Sequence, residues 1–462
     1  MSLPRFAIVG HPNKGKSSLV ATLATDISVP VAAESGTTRA ATSYPMRVRG
    51  ETLYELVDTP GFQRARRALA WLQGQADSAD QRPKAVRRFV VEQVAEPQFE
   101  AEVALLAPLV EGAGIIYVVD GAVPYGPEYE AEMEILRWSG RPSLAVINPI
   151  GARTYVDAWR DALGQYFRIV REVDVLAAGL EQRLDLLRAF GQLDEQWRAP
   201  LERAVEALSA DRDRARSQAA GLVGDLIVTA LTTSQRARLT DGASEEELRR
   251  SLEESLRATI RSAELKARDQ IQRVYQHTTM DRVEQGLEVL NEDLFGERTW
   301  SAFGLDRLTL TGVGTTGGAA AGVGFDAITG GLSLFAGAAI GAVAGGATAW
   351  FAADKFADFE TATLPFGEQE VVVSAGKSRN LPFVLLGRAR AHHRLVARRS
   401  HAERAALVVD SEADPLPELD SANRSALAQL FAKLGGLSGD APQSLMDDLR
   451  AQIETCLRAD EA

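Results

Sequence analysis

An apolar run, Phe6-Ala7-Ile8-Val9, leads straight into Gly10-His11-Pro12-Asn13-Lys14-Gly15-Lys16-Ser17, and this junction limits the possible folds more sharply than any other part of the chain. It is a complete G-x-x-x-x-G-K-S loop between a strand pattern and a helix pattern. Glycines at its first and sixth positions let the backbone wrap an anion, so that consecutive N–H groups face phosphates while Lys16 reaches the terminal ones. Ser17 supplies a hydroxyl for magnesium. The helix expected from Ser18 to Thr25 puts its positive end under the same phosphates. The expected nucleotide-binding residues are therefore Gly10, Asn13, Lys14, Gly15, Lys16, Ser17 and Ser18.

A nucleotide hydrolase also needs groups that sense the terminal phosphate and return to it from elsewhere in the chain. Gly36-Thr37-Thr38-Arg39 lies in a polar loop, and Thr38 is placed to complete the magnesium shell. The strand pattern Leu53-Tyr54-Glu55-Leu56-Val57 ends in Asp58-Thr59-Pro60-Gly61, which brings a carboxylate near magnesium and a glycine N–H near the γ-phosphate. These motifs resemble those of the translation-factor-like GTPases, in particular the Era, TrmE and Der group. The resemblance implies GTP and GDP as ligands, Mg2+ as cofactor, Ser17, Thr38 and Asp58 as metal-binding residues, and Lys16, Thr38 and Gly61 as the catalytic set. Asn13 matches an asparagine that holds K+ in cation-dependent members of that group. Phe62 stands where Ras-like enzymes orient water with a glutamine; it is either a sign of another way of placing the water or an ordinary packing residue.

The resemblance fails at one motif. Strand Leu144-Ala145-Val146-Ile147 runs into Asn148-Pro149-Ile150-Gly151, so the carboxylate that reads guanine is missing. Asn148 is left as the candidate base contact, with a backbone contact possible from Val173 to Ala178, and weaker discrimination of GTP over ATP is expected. Taken whole, the chain resembles a bacterial family that joins such a GTPase domain, with this altered motif, to a long C-terminal domain of unknown function. That implies a GTP-binding protein on the cytoplasmic side.

The fold class expected is α/β: a P-loop GTPase domain with a mostly parallel sheet over 1–178, then a mainly α-helical region. The later parts are a helical bundle over 179–306, a Gly/Ala-rich apolar helical hairpin over 307–354, and a basic β-hairpin segment with terminal helices over 355–462. At 462 residues with 45% hydrophobic and 25% charged residues the chain can bury a sizeable core. One cysteine, Cys456, excludes an intrachain disulfide and suits a reducing cytoplasm. Met1-Ser2-Leu3-Pro4-Arg5 enters the first strand directly, so no leader is expected. Between Gly61 and Gly114 the chain is longer than a compact GTPase needs; helices over Ala68–Gln81 and Lys84–Val94 make it an enlarged second switch or a packing insertion.

The C-terminal part carries two signals. Leu308 to Phe325 and Ala327 to Ala353 hold no charge, and Gly314, Gly318, Gly322 and Gly337, Gly341, Gly345 recur every fourth residue. Such faces let helices approach closely, as in membranes, although a buried soluble hairpin has the same pattern. Further on, Glu370–Val373 and Phe383–Leu386 read as strands around a turn at Gly376–Asn380. Lys377, Arg379, Arg388, Arg390, Arg394, Arg398, Arg399 and Arg404 then form a basic patch with His392, His393 and His401, expected as surface residues. The patch suits anionic lipid or an RNA backbone. A net charge of -12 argues against chain-wide affinity for nucleic acid.

The function expected is a slow Mg2+-dependent GTPase whose nucleotide state controls a membrane-associating C-terminal domain, cytoplasmic and peripheral or hairpin-inserted at the inner face of the membrane. Membrane lipids, a membrane protein or a second copy of the chain are the expected partners. The alternatives are an RNA or ribosome-assembly GTPase that uses the 377–404 patch, and a structural membrane protein whose oligomerisation follows its nucleotide.

Overall fold

A computed structural model describes residues 3–24, 40–48, 51–175, 178–240, 244–275, 293–296, 299, 300, 303, 356–363, 365, 369–398, 416–437 and 439–461. The chain divides into two compact units, Met1–Asp211 and Arg212–Ala397 with Ala405–Ala462.

The first unit is built on a six-stranded sheet of order β2-β3-β1-β4-β5-β6. Its strands are β1 (Arg5–Val9), β2 (Thr42–Val48), β3 (Glu51–Asp58), β4 (Gly114–Asp120), β5 (Ser143–Asn148) and β6 (Val170–Glu172). β2 pairs antiparallel with β3, and the other pairings are parallel. Apolar residues fill both faces of the central strands, as a parallel sheet covered by helices requires; all of β4 is buried. Helices α1 (Lys16–Ala24), α2 (Ala65–Gln73), α3 (Arg82–Glu92), α4 (Glu100–Val110), α5 (Glu128–Trp138), α6 (Val156–Leu163) and α7 (Leu180–Gly191) complete the unit with the start of α8 (Glu195–Thr232). Two of the buried clusters lie here. Phe6 and Ile8 point into one with Leu19 and Phe190, while Ala7 and Val9 point into the other with Phe62 and Phe89, which is the alternation a strand imposes. The fold expected from the sequence is present: P-loop strand, mostly parallel sheet, and two helices, α2 and α3, after Gly61.

The second unit is mainly helical, with the rest of α8, α9 (Glu245–Val274), α10 (Leu381–Arg398), α11 (Ser421–Gly435) and α12 (Gln443–Glu461). A small antiparallel sheet has the order β7-β9-β8, from β7 (Ser234–Leu239), β8 (Asp358–Thr363) and β9 (Gln369–Ser374). Here two expectations are corrected. Phe383–Leu386 is not a strand but the start of α10, and β9 pairs with β7 and β8 instead. A short apolar run does not distinguish strand from helix; the deciding feature is Pro382 at the second helical position, with Ser378 Oγ accepting from the Leu381 N–H.

The middle of the basic patch is likewise not a surface. Arg388, Arg390, His392 and His393 are all buried. The Arg388 Nε donates to Glu264 at 2.6 Å, and Arg390 makes a two-nitrogen contact with the Asp460 carboxylate at 2.6 and 2.9 Å. His393 meets the Tyr275 hydroxyl at 2.8 Å, and His392 faces Gln272. Burial pushes both imidazoles down to about 3, aided by Arg268 beside His392 and Arg212 beside His393, so both are neutral at ordinary pH. α10 is enclosed on every side, so its cations must find partners inside the unit. Lys377, by contrast, is exposed and pairs with Glu360.

No helix among the described residues is long and apolar enough to cross a membrane. The hairpin expected over 307–354 lies outside the described residues, as do Thr38, His401, Arg399 and Arg404.

Candidate functional site

The sheet places its strand ends in one row. In the parallel register Ile8 lies beside Asp58 and Asp120 beside Asn148, so the loops after β1, β3, β4 and β5 leave from a common edge. β1 sits between β3 and β4, where strand order reverses, and that is the crevice in which open α/β sheets bind ligands.

From this edge the 10–15 loop turns into α1. Gly10 has φ +145° and Gly15 φ +84°, conformations that L side chains rarely adopt; a Cβ on Gly10 would strike the Val118 carbonyl and one on Gly15 the Asn148 amide. Asn13 also has a positive φ, 62°. Lys16 is 8% exposed, and its Nζ donates to the His11 carbonyl at 2.9 Å. Burial lowers its pKa to about 8, opposed by the carboxylates of Asp58 and Glu132. The Ser17 hydroxyl donates to Asp58 Oδ2 at 2.7 Å. A hydroxyl and a carboxylate at this distance form the hard-oxygen donor pair that magnesium takes beside phosphates, so these residues fit the ion. Behind Asp58, the Thr59 hydroxyl donates to the Ile8 carbonyl at 2.6 Å and ties the end of β3 to β1.

The P-loop and the segment after Asp58 interlock. A Cβ on Gly61 would come 2.5 Å from the Pro12 nitrogen, and the Phe62 N–H donates to the Gly10 carbonyl at 3.2 Å. The Phe62 side chain is 2% exposed and belongs to the core beneath α2, which decides for packing between the two readings of that residue.

Asn148 spends both ends of its amide on backbone. Nδ2 donates to the Lys14 carbonyl at 3.3 Å, and Oδ1 accepts from the Val175 N–H at 3.1 Å. It thereby links the P-loop to the segment after β6, in which Leu176 and Ala177 lie outside the described residues.

Three acids that the motifs did not single out hold this arrangement. Asp120 faces Lys14 at 3.5 Å and accepts from the Ala122 N–H at 2.9 Å. Glu132, on α5, is 2% exposed; it takes the Tyr117 hydroxyl at 2.9 Å and His11 Nδ1 at 2.8 Å. Burial raises the Glu132 pKa, opposed by its bonds to His11 and Tyr117. Glu102, on α4, is fully buried and accepts from the Gln63 and Arg64 N–H groups at 2.8 and 2.5 Å. Neither acid stands out in the sequence: Glu102 follows Glu100 in α4, and Glu132 is one of four glutamates in α5. Beside them His11, Phe62, Arg64, Arg67 and Glu128 line a pocket of about 480 Å³.

Residues 160–452 match the family described as a domain of unknown function, DUF3482. The chain belongs to this family. In this DUF3482 protein, residues 5–148 match a second family, described as 50S ribosome-binding GTPase, and they form its GTP-binding GTPase domain. Among curated relatives, GTPase Der of Mycoplasma pneumoniae is 50% identical over 60 residues, 13% of this chain and 13% of that protein. GTPase Der of Paraburkholderia phymatum is 28% identical over 158 residues, 34% of this chain and 29% of that protein. The matches thus span less than a third of those relatives. Similar solved structures include Aquifex aeolicus Era bound to GDP and aluminium fluoride, and Era with MgGDPNP and a segment of 16S ribosomal RNA. Each is 15% identical, covers 53% of this chain and 75% of that one, and has a TM-score of 0.29.

Proposed function

We propose that the N-terminal unit is a magnesium-dependent GTP switch that hydrolyses its ligand slowly. The observation that carries this is the meeting of Lys16, Ser17 and Asp58 at the carboxyl edge of the sheet, with Gly61 packed against the P-loop. In this reading Lys16 leaves the His11 carbonyl for the terminal phosphates, Ser17, Asp58 and Thr38 hold magnesium directly or through water, and the Gly61 N–H senses the γ-phosphate. Bound magnesium would neutralise charge that develops between the phosphates. Asn148 acts by holding the P-loop and the segment after β6, which leaves guanine selection to backbone contacts. Slow turnover follows from Phe62, whose ring is committed to the core and orients no water.

With Asn13 in the P-loop, replacing sodium by potassium is expected to raise the rate of phosphate release. Equal rates in the two salts would remove K+ from the mechanism, and no phosphate release in either, with magnesium present, would remove the hydrolysis itself.

The pKa of Lys16 gives a second expectation. The protonated amine is the form that binds phosphate, and a bound triphosphate raises its pKa. Below about 8 the free protein already carries that proton, so GTP affinity is level there. Above it the proton must be taken up on binding, and affinity falls by about tenfold per pH unit. Titrations from pH 6 to 10 check this; a level profile to pH 10 would contradict a lowered Lys16.

For the C-terminal part we retain the membrane reading, carried by the two uncharged runs between Leu308 and Ala353 and by their glycine spacing. The RNA reading loses two of the eight cations of its patch, Arg388 and Arg390, which are sequestered in ion pairs. Flotation with anionic and neutral liposomes, with GTP or GDP, is expected to carry the wild-type chain upward. Gly341→Leu should still float but fail to assemble. Wild-type protein left wholly in the soluble fraction under every condition would end this reading.

A further inference from the structure

The chain between Gly61 and Gly114 has the length of an enlarged switch, yet its beginning is held at a fixed point. Glu102 is 0% exposed, and its Oε1 accepts both the Gln63 N–H at 2.8 Å and the Arg64 N–H at 2.5 Å. These donors lie just before α2, whose first residue is Ala65 and whose N-cap residue, Arg64, makes no side-chain capping bond. A carboxylate there satisfies orphan N–H groups and faces the positive end of the helix. Breaking the contact would leave a buried charge without its donors, which is costly unless water enters, and Glu102 is closed to water.

The residues beyond the anchor are equally committed. Ala65, Ala68 and Leu72 of α2 and Ala85, Val86 and Phe89 of α3 are buried in one cluster with Met133 and Leu136 of α5, and Trp71 meets Phe89 edge-to-face at 5.3 Å. Before the anchor the Phe62 ring stays in the core, while the backbone is held by less. Phe62 donates to Gly10 at 3.2 Å, and Gly61 touches Pro12, which is the part a γ-phosphate would displace.

We propose that Glu102 is a positioning residue that ends the moving part of the second switch at Phe62, so that the Pro60–Phe62 backbone answers the nucleotide while the Phe62 ring, α2, α3 and α4 stay in place. The inference rests on the GTP-switch reading for its nucleotide dependence and not for the anchor itself. It assigns the insertion a static role: a platform that holds Gly61 in reach of the γ-phosphate.

The test is hydrogen exchange on the full chain, without nucleotide, with magnesium–GDP and with a magnesium-bound, non-hydrolysable GTP analogue. In wild type the nucleotide-dependent change after Asp58 should stop at Phe62, with 65–110 equally protected in both liganded states. In Glu102→Ala the Gln63 and Arg64 amides should exchange about tenfold faster or more, and the nucleotide-dependent change should spread into α2. Glu102→Gln keeps an acceptor oxygen in the same shape. It should restore much of the protection, whereas Glu102→Ala should lower kcat for GTP with KM unchanged.

A wild-type exchange pattern in which α2 to α4 itself changes with nucleotide would overturn the inference. So would unchanged Gln63 and Arg64 amides in Glu102→Ala. If wild type binds no magnesium–GTP, the switch reading fails, and the anchor is then decided by the nucleotide-free comparison of wild type with Glu102→Ala.

Discussion

Lys16→Ala is expected to abolish measurable magnesium–GTP binding. The Lys16 amine is the one P-loop group that brings a full positive charge to the terminal phosphates, and a hydrogen bond to a charged group is worth about 1.5–3 kcal/mol. Two such bonds, to β- and γ-oxygens, amount to roughly a hundredfold to ten-thousandfold in affinity. The change removes a buried side chain whose amine donates to the His11 carbonyl at 2.9 Å, and a carbonyl beside a water-accessible loop is readily solvated, so the domain should still fold. Calorimetric titration of both proteins with magnesium–GTP, alongside thermal unfolding, separates lost binding from lost fold. Equal affinities would mean that the loop does not bind the terminal phosphates.

The nucleotide-binding half was legible in the sequence because its signals are local. Gly10 to Ser17 dictates a backbone path almost by itself, and the buried runs Phe6–Val9 and Gly114–Asp120 identify the central strands. What escaped were acids outside the motifs that act across a long separation. Glu102 meets residues 38 and 39 positions away, and Glu132 meets His11 at a distance of 121 positions. Nothing in the neighbourhood of either acid in the sequence names its partner.

The same limit explains the mistaken middle of the basic patch. Seen along the chain, Arg388, Arg390, His392 and His393 are a run of cations and imidazoles with no nearby acid. In the folded unit their partners come from 264, 272, 275 and 460, on α9, at its end and on α12. Charge that looks uncompensated over twenty residues is compensated in three dimensions, and a helix enclosed on all sides can still be rich in arginine. β7 escaped for a related reason: Ser234–Leu239 has no strong apolar alternation, and its strand state depends on β9 alongside it.

The second large effect expected is on stability, from Glu264→Ala. One oxygen of Glu264 accepts from both Arg268 and Arg388 at 2.6 Å, and the three residues are 5%, 5% and 3% exposed. Such a cluster is weak evidence of net stabilisation, since removing three ions from water costs about what their attraction returns. Removing only the acid is a different matter, because it takes from two buried guanidinium groups the carboxylate they share, at about 3–5 kcal/mol. For a unit of this size the unfolding midpoint of the full chain should drop by about 10 °C. Glu246→Ala serves as the control: Glu246 pairs with Arg250 at 3.7 Å with both side chains largely exposed, and the midpoint should not move. The comparison becomes sharper with a third variant, Glu264→Leu combined with Arg268→Met and Arg388→Met, which removes all three charges while roughly keeping their volume. It should regain much of what Glu264→Ala loses, because the cost lies in the buried charge that has lost its carboxylate and not in the absence of the salt bridge. A triple variant as unstable as the single one would instead mean that the ion cluster itself holds α9 against α10.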